Sequence, residues 1–150
     1  MAEMKQIVSL SLAGEKYGIN IMDIEEIIRM MEITRVPKAP PFVEGIINLR
    51  GQVIPIVDLR NKLGLPVPEE DHNTRIINVG ISGRKLGFVV DKVDEVLRLD
   101  PGVVDKAPAV SMNVDSNYIE GVARTENGMI IILEVHNIFS TRESNQLNAF

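Results

Sequence analysis

Phe42-Val-Glu-Gly-Ile-Ile-Asn-Leu-Arg-Gly-Gln-Val-Ile-Pro-Ile-Val-Asp-Leu59 is the stretch whose reading decides the fold. Ile46 to Leu49 form one apolar run and Val53 to Val57 a second, with Arg50, Gly51 and Gln52 between them. Two short apolar runs around a glycine-bearing turn read as a β-hairpin, because Gly51 supplies the positive φ that a tight loop requires. Pro55 has no N–H to give to a ladder, which puts the second strand at a sheet edge or a bulge. Arg50 falls in the turn, where a charge ordinarily faces water without a specific partner.

The chain on either side fits a β-rich fold. Lys5 to Leu12 reads as a strand, Ala13-Gly14-Glu15 as a turn and Lys16 to Ile21 as the returning strand. Asp23 to Met31 admits two readings. Ile24, Ile27, Ile28 and Met31 have helical spacing with Asp23 as a cap, while the β-branched content permits a strand. Ile33 to Val36 is a short strand before the stiff connector Pro37 to Pro41. Leu59 to Leu63 suits a single helical turn closed by Gly64. Pro66 to Asn73, rich in proline and acid, is the best linker candidate. Pro101 to Tyr118 is turn-rich and reads as a long connection, and Ser140 to Phe150 as a polar tail, mobile or loosely helical.

The second half repeats the first. Arg75 to Val90 lies over Gln6 to Ile21 without a gap, pairing Ile7 with Ile76, Gly14 with Gly83, Lys16 with Lys85 and Gly18 with Gly87. Glu120 to Asn137 lies over Glu44 to Asn61, pairing Gly45 with Gly121, Ile54 with Ile130 and Ile56 with Ile132. Two ungapped matches in the same order indicate a duplicated unit of about 70 residues. Each unit carries several short strands, too few to bury a face in pairs but enough to curl into a small barrel. The expected fold is mainly β, two small barrels related by a pseudo-two-fold, with a few short helices. The approximate subdomains are 1–72 and 73–150, and the pattern leaves open whether strands exchange between them.

Composition narrows the function. The chain has 150 residues, no cysteine and a net charge of −5. That excludes disulfides and thiolate chemistry, fits a reducing cytosol, and makes nucleic acid and anionic membranes poor partners. The N-terminal sequence starts no signal peptide, and the apolar runs are far shorter than the roughly 20 residues a spanning helix needs, so no membrane insertion is expected. His72 and His136 have no metal spacing, and Glu25 with Glu26, like Glu69 to Asp71, reads as a solvated acidic run. There is no nucleophile elbow, phosphate loop or dinucleotide fingerprint. The residues favour a binding protein with no cofactor over an enzyme. A small-molecule-binding β-barrel is the alternative, and it would need a polar pocket with converging titratable groups, which no motif here supplies.

Glu44-Gly-Ile-Ile-Asn-Leu-Arg-Gly-Gln-Val-Ile-Pro-Ile-Val-Asp-Leu59 resembles a signature of the CheW family of bacterial chemotaxis coupling proteins. Gly87-Phe-Val-Val-Asp-Lys-Val-Asp-Glu-Val-Leu-Arg-Leu99 is similar to that family's second signature, and Tyr17-Gly-Ile-Asn-Ile21 with Glu25-Glu-Ile-Ile28 to its opening. The likeness covers roughly Gln6 to Phe139. It implies two five-stranded SH3-like barrels and a non-enzymatic adaptor. One surface would bind the cytoplasmic tip of a methyl-accepting chemotaxis receptor, and another the regulatory domain of the histidine kinase CheA. The protein would be cytoplasmic and reach membrane receptor arrays through these partners. By the same resemblance the receptor groove lies between the barrels, with Ile24, Ile27 and Ile28 on one side and Val93, Val96 and Leu97 on the other. Arg50 matches the arginine that the family associates with receptor contact, and Glu44 and Gly45 are the candidates for the kinase face.

Overall fold

The computed structural model describes residues 4–106, 116–126 and 128–148. The first strands are β1 (Lys5–Leu12), β2 (Glu15–Asn20), β3 (Ile24–Arg29), β4 (Val43–Leu49) and β5 (Gln52–Asp58), followed by the helical turn α1 (Leu59–Lys62). Then come β6 (Arg75–Ile81), β7 (Arg84–Val90), β8 (Lys92–Leu99), β9 (Val104–Lys106), β10 (Ile119–Thr125), β11 (Gly128–Leu133) and the helix α2 (Thr141–Asn148). Part of the connection expected from Pro101 to Tyr118 falls on residues 107–115, outside the described residues, as do the last two residues of the tail.

The hairpin at the centre of the sequence forms with Leu49 opposite Gln52. Arg50 and Gly51 both have positive φ, 51° and 84°, which is the twist-matched two-residue turn. The hairpins β1–β2 and β6–β7 turn the same way through Ala13-Gly14 and Ser82-Gly83. Pro55 does not sit on an outer strand, because β5 lies between β4 and β7. Its pairing with β7 is parallel and starts only at Ile56. The opposite residue, Ile46, turns both its N–H and its C=O outward to Thr34, at 2.9 Å each. Ile46 and Pro55 are therefore a non-hydrogen-bonded pair, and the proline's missing donor faces a place with no partner strand.

The strands form two sheets, ordered β3-β6-β7-β5-β4 and β8-β1-β2-β11-β10-β9. The five-stranded sheet holds β3 to β7, and the six-stranded sheet takes β1 and β2 together with β8 to β11. The hairpin that opens each sequence repeat thus lies beside strands of the other repeat. Between β3 and β4 the chain bridges Thr34 to Ile46, and between β8 and β10 the strand β9 pairs with Gly121 to Ala123. The short strand expected at Ile33 to Val36 is this single bridge. The same crossing in the second repeat is long enough to be a sixth strand.

Both sheets are SH3-like barrels with small cores of their own: Ile47, Ile54, Ile56, Ile76 and Val89 in one, Ile7, Leu99, Ala123, Ile130 and Ile132 in the other. The principal core lies where they meet. Leu10, Leu12, Tyr17 and Ile19 from the six-stranded sheet pack there with Val57, Ile77, Val79, Phe88 and Val90 from the five-stranded sheet. Strands such as β5 and β7 are therefore buried on both faces. This explains why they read as unbroken apolar runs and not as alternation.

Candidate partner-binding surface

Asp23 to Met31 resolves into a 3-10 turn, Ile21–Asp23, and the strand β3. The strand period of two, not the helical spacing, decides where its side chains go. Ile24 packs against the inter-barrel core and Ile28 against the core of its own barrel, both half-buried. Ile27 turns outward and is 39% exposed. The repeat-related strand β8 behaves alike: Val93 packs on the inter-barrel core, Leu97 on its own barrel's core, and Val96 is 54% exposed. The six candidate wall residues thus divide into one outward apolar side chain per barrel, Ile27 and Val96, and two supports behind each. β3 and β8 are outer strands of their sheets, and charges flank the two exposed residues: Glu25 and Arg29 on β3, Glu95 and Arg98 on β8.

Arg50 reaches the same strand. From the tip of the β4–β5 hairpin its Nη2 donates to Glu26 Oε1 at 2.5 Å, tying the hairpin to β3. The hydrogen bond and charge of Arg50 hold the Glu26 carboxyl below its ordinary pKa, and Glu26 pushes the guanidinium up. Lys85 Nζ lies 3.5 Å from Glu25 and 3.1 Å from Gln52 Oε1. The Arg50 side chain remains 69% exposed beside β3, so its guanidinium still faces solvent. The repeat places Glu126 where Arg50 stands, so the two barrels offer different charges.

Glu44 is exposed at the start of β4, whereas Gly45 is buried. A Cβ on Gly45 would lie 2.3 Å from the Thr34 carbonyl oxygen. Gly121 repeats this, with 2.6 Å to the Asp105 carbonyl oxygen. Both glycines admit the crossing segment that closes each barrel.

Two polar features escaped the sequence reading. Arg60, 4% exposed, grips Asp58 through Nε–Oδ1 and Nη2–Oδ2, both 2.9 Å, and reaches Asp91 Oδ1 at 2.7 Å. Burial works against its charge, but the two carboxylates outweigh that and hold the pKa above the usual value. Lys62 pairs with Glu143 at 2.9 Å, and its Nζ stands 5.5–6.0 Å from the ring centres of Phe42, Tyr118 and Phe139. The charged pair Asp58 and Arg60 directly after the apolar run Val53 to Val57 was the available signal for the first. No local pattern announces the second. Among the described residues no group of His, Asp and Glu could hold a metal ion. A surface hollow of about 640 Å³ near Met4, Ile21, Met22 and Val104 has, among the described residues, Lys5 as its one charged lining residue.

Residues 6–143 match the CheW-like domain family. The Chemotaxis protein CheW of Treponema pallidum (strain Nichols) is 32% identical over 149 residues, covering 97% of this chain and 88% of that protein. That of Bacillus subtilis (strain 168) is 32% identical over 148 residues, covering 97% and 94%. The crystal structure of the scaffolding protein TtCheW from Thermoanaerobacter tengcongensis superposes with a TM-score of 0.85 at 41% identity, covering 93% of this chain and 95% of that one. Two SH3-like barrels, the duplicated signature hairpin and end-to-end likeness agree: the chain belongs to the CheW-like family of chemotaxis coupling scaffolds.

Proposed function

We propose that this protein couples a CheA-type histidine kinase to the cytoplasmic tips of methyl-accepting chemotaxis receptors, working in the cytoplasm as a scaffold without turnover. The observation that carries the reading is the pair of outward aliphatic residues, Ile27 and Val96, at repeat-equivalent places on β3 and β8. A receptor tip is a helical hairpin, and a helix docks through a few apolar anchors with charges fixing its register. Ile27 and Val96 supply the anchors, Ile24, Ile28, Val93 and Leu97 stiffen the strands behind them, and Arg50 supplies the charge. Glu44 marks the kinase face, with Gly45 holding the backbone beneath it. Recruitment to a receptor array runs through these partners; among the described residues no helix is long and apolar enough to cross a membrane.

The test is titration of the purified protein, wild type and Ile27→Glu, against a receptor-tip fragment and separately against the kinase regulatory domain. Wild type is expected to bind both, and Ile27→Glu to lose the receptor fragment alone. Failure of wild type to bind either at tens of micromolar overturns the reading.

A further inference from the structure

The two chain crossings between the barrels are each pinned by the same device, built unequally. Asp91 sits where the chain passes from β7 in one sheet to β8 in the other. Its Oδ1 accepts from Arg60, its Oδ2 accepts from the Ala13 amide at 2.8 Å, and its own amide donates to the Ser11 carbonyl at 3.2 Å. Asp58 caps the turn that carries Arg60. In the repeat, Glu134 stands for Asp58 and His136 for Arg60. Glu134 Oε1 accepts from the His136 amide at 3.2 Å, and His136 Nε2 lies 3.0 Å from Asp23 Oδ1. Asp23 occupies the other crossing, from β2 to β3, one position off the strict repeat. The first clasp is buried, with side-chain exposures of 5% for Arg60, 11% for Asp58 and 19% for Asp91. The second is open, with 46% for His136 and 21% for Asp23. A guanidinium that reaches two carboxylates out of water holds its geometry far more firmly than one imidazole contact in solvent.

We propose that Asp23 and His136 are positioning residues, a weak clasp that sets β3, while Arg60 and Asp91 fix β8. The two walls assigned above are then unequal: the start of β8 is held by a buried clasp and that of β3 by an open one. The consequence for receptor docking rests on the function proposed above, whereas the clasp itself does not.

Amide hydrogen exchange on the full chain decides it, with Asp23→Asn, His136→Gln and the double variant. Opening one exposed pair changes local exchange by about 2- to 5-fold. The expected result is a rise of that size across residues 21–29 in each single variant, no further rise in the double, and no change across residues 91–99. Unchanged exchange at 21–29, an equal rise at 91–99, or additive effects in the double variant overturns the proposal. Receptor-fragment affinity measured on the same variants separates the two readings. If exchange responds and affinity does not, the clasp stands and β3's assignment as a receptor wall falls.

Discussion

Arg50 has an internal partner and an exposed face, and one substitution separates them. Its ion pair with Glu26 is open to solvent, so Arg50→Ala should leave stability nearly unchanged. A lost charge-assisted contact to a partner carboxylate costs more, roughly tenfold in affinity. The expected outcome by calorimetric titration is weaker receptor-fragment binding, unchanged kinase-domain binding and an unchanged melting curve. Equal loss toward both partners would mean that Arg50 shapes the hairpin and does not contact the receptor. Glu44 and Gly45 need opposite treatment. Gly45→Ala drives a methyl into the Thr34 carbonyl at a backbone φ of 155°, and should destabilise by about 1–3 kcal/mol in denaturant melts. Glu44→Lys touches only the surface. It should leave the melt alone and weaken the kinase domain if that face is the contact.

At the scale of elements, what could be read from the sequence depended on how many faces each segment buries. The β4–β5 hairpin announced itself through Gly51, whose positive φ a tight turn requires; that Arg50 shares it and that Gln52 already belongs to β5 came only with the structure. β3 did not, because Ile24, Ile27 and Ile28 satisfy a helical spacing equally well. Only its ladder with β6, from Ile24 opposite Val79 to Arg29 opposite Arg75, settles the period. The role of Arg60 stayed unread for a related reason: its second partner, Asp91, is 31 residues away, in the bend between β7 and β8. Removing Arg60 leaves the buried Asp58 and the part-buried Asp91 without a cation, so Arg60→Ala should cost about 3–5 kcal/mol in denaturant unfolding.

The tail follows a different logic. It forms α2, with Leu147 buried in the inter-barrel core, Lys62 bound to Glu143 and Arg84 bound to Asn148 at 2.9 Å. Burial pushes the Glu143 carboxyl up, but the Ser140 amide and the Lys62 ammonium outweigh it and hold the pKa below the ordinary value. A carboxyl lowered on folding stabilises fully above its unfolded pKa and loses that contribution as pH falls through the folded one. Acidification below about pH 4 should therefore loosen α2 before the strands. Glu143→Gln should flatten that acid step, as read by exchange of the α2 amides.

The whole molecule is organised against its own sequence repeat. The repeat boundary near residue 72 falls between β5 and β6, inside the five-stranded sheet, where β3 pairs with β6 and β5 with β7. The six-stranded sheet likewise joins β1 to β8 and β2 to β11. Neither half of the chain can complete a sheet alone, and the largest core needs both. The linker at residues 66–72 carries little of this: it is almost wholly exposed and lies in no strand. Cutting it breaks one covalent connection and no ladder, at a cost set mainly by the chain entropy that the linker had suppressed. Limited proteolysis there should give two fragments that stay together through size-exclusion chromatography and keep the intact protein's circular dichroism. Fragments 1–72 and 73–150 produced separately should each be unfolded, and mixing them should restore the spectrum in a slow, concentration-dependent step, because every sheet then forms between two chains. If either fragment alone gives a cooperative melt, the barrels are less interdependent than the ladders imply, and the proposed coupling of two partners would have to rest on the clasps at the crossings.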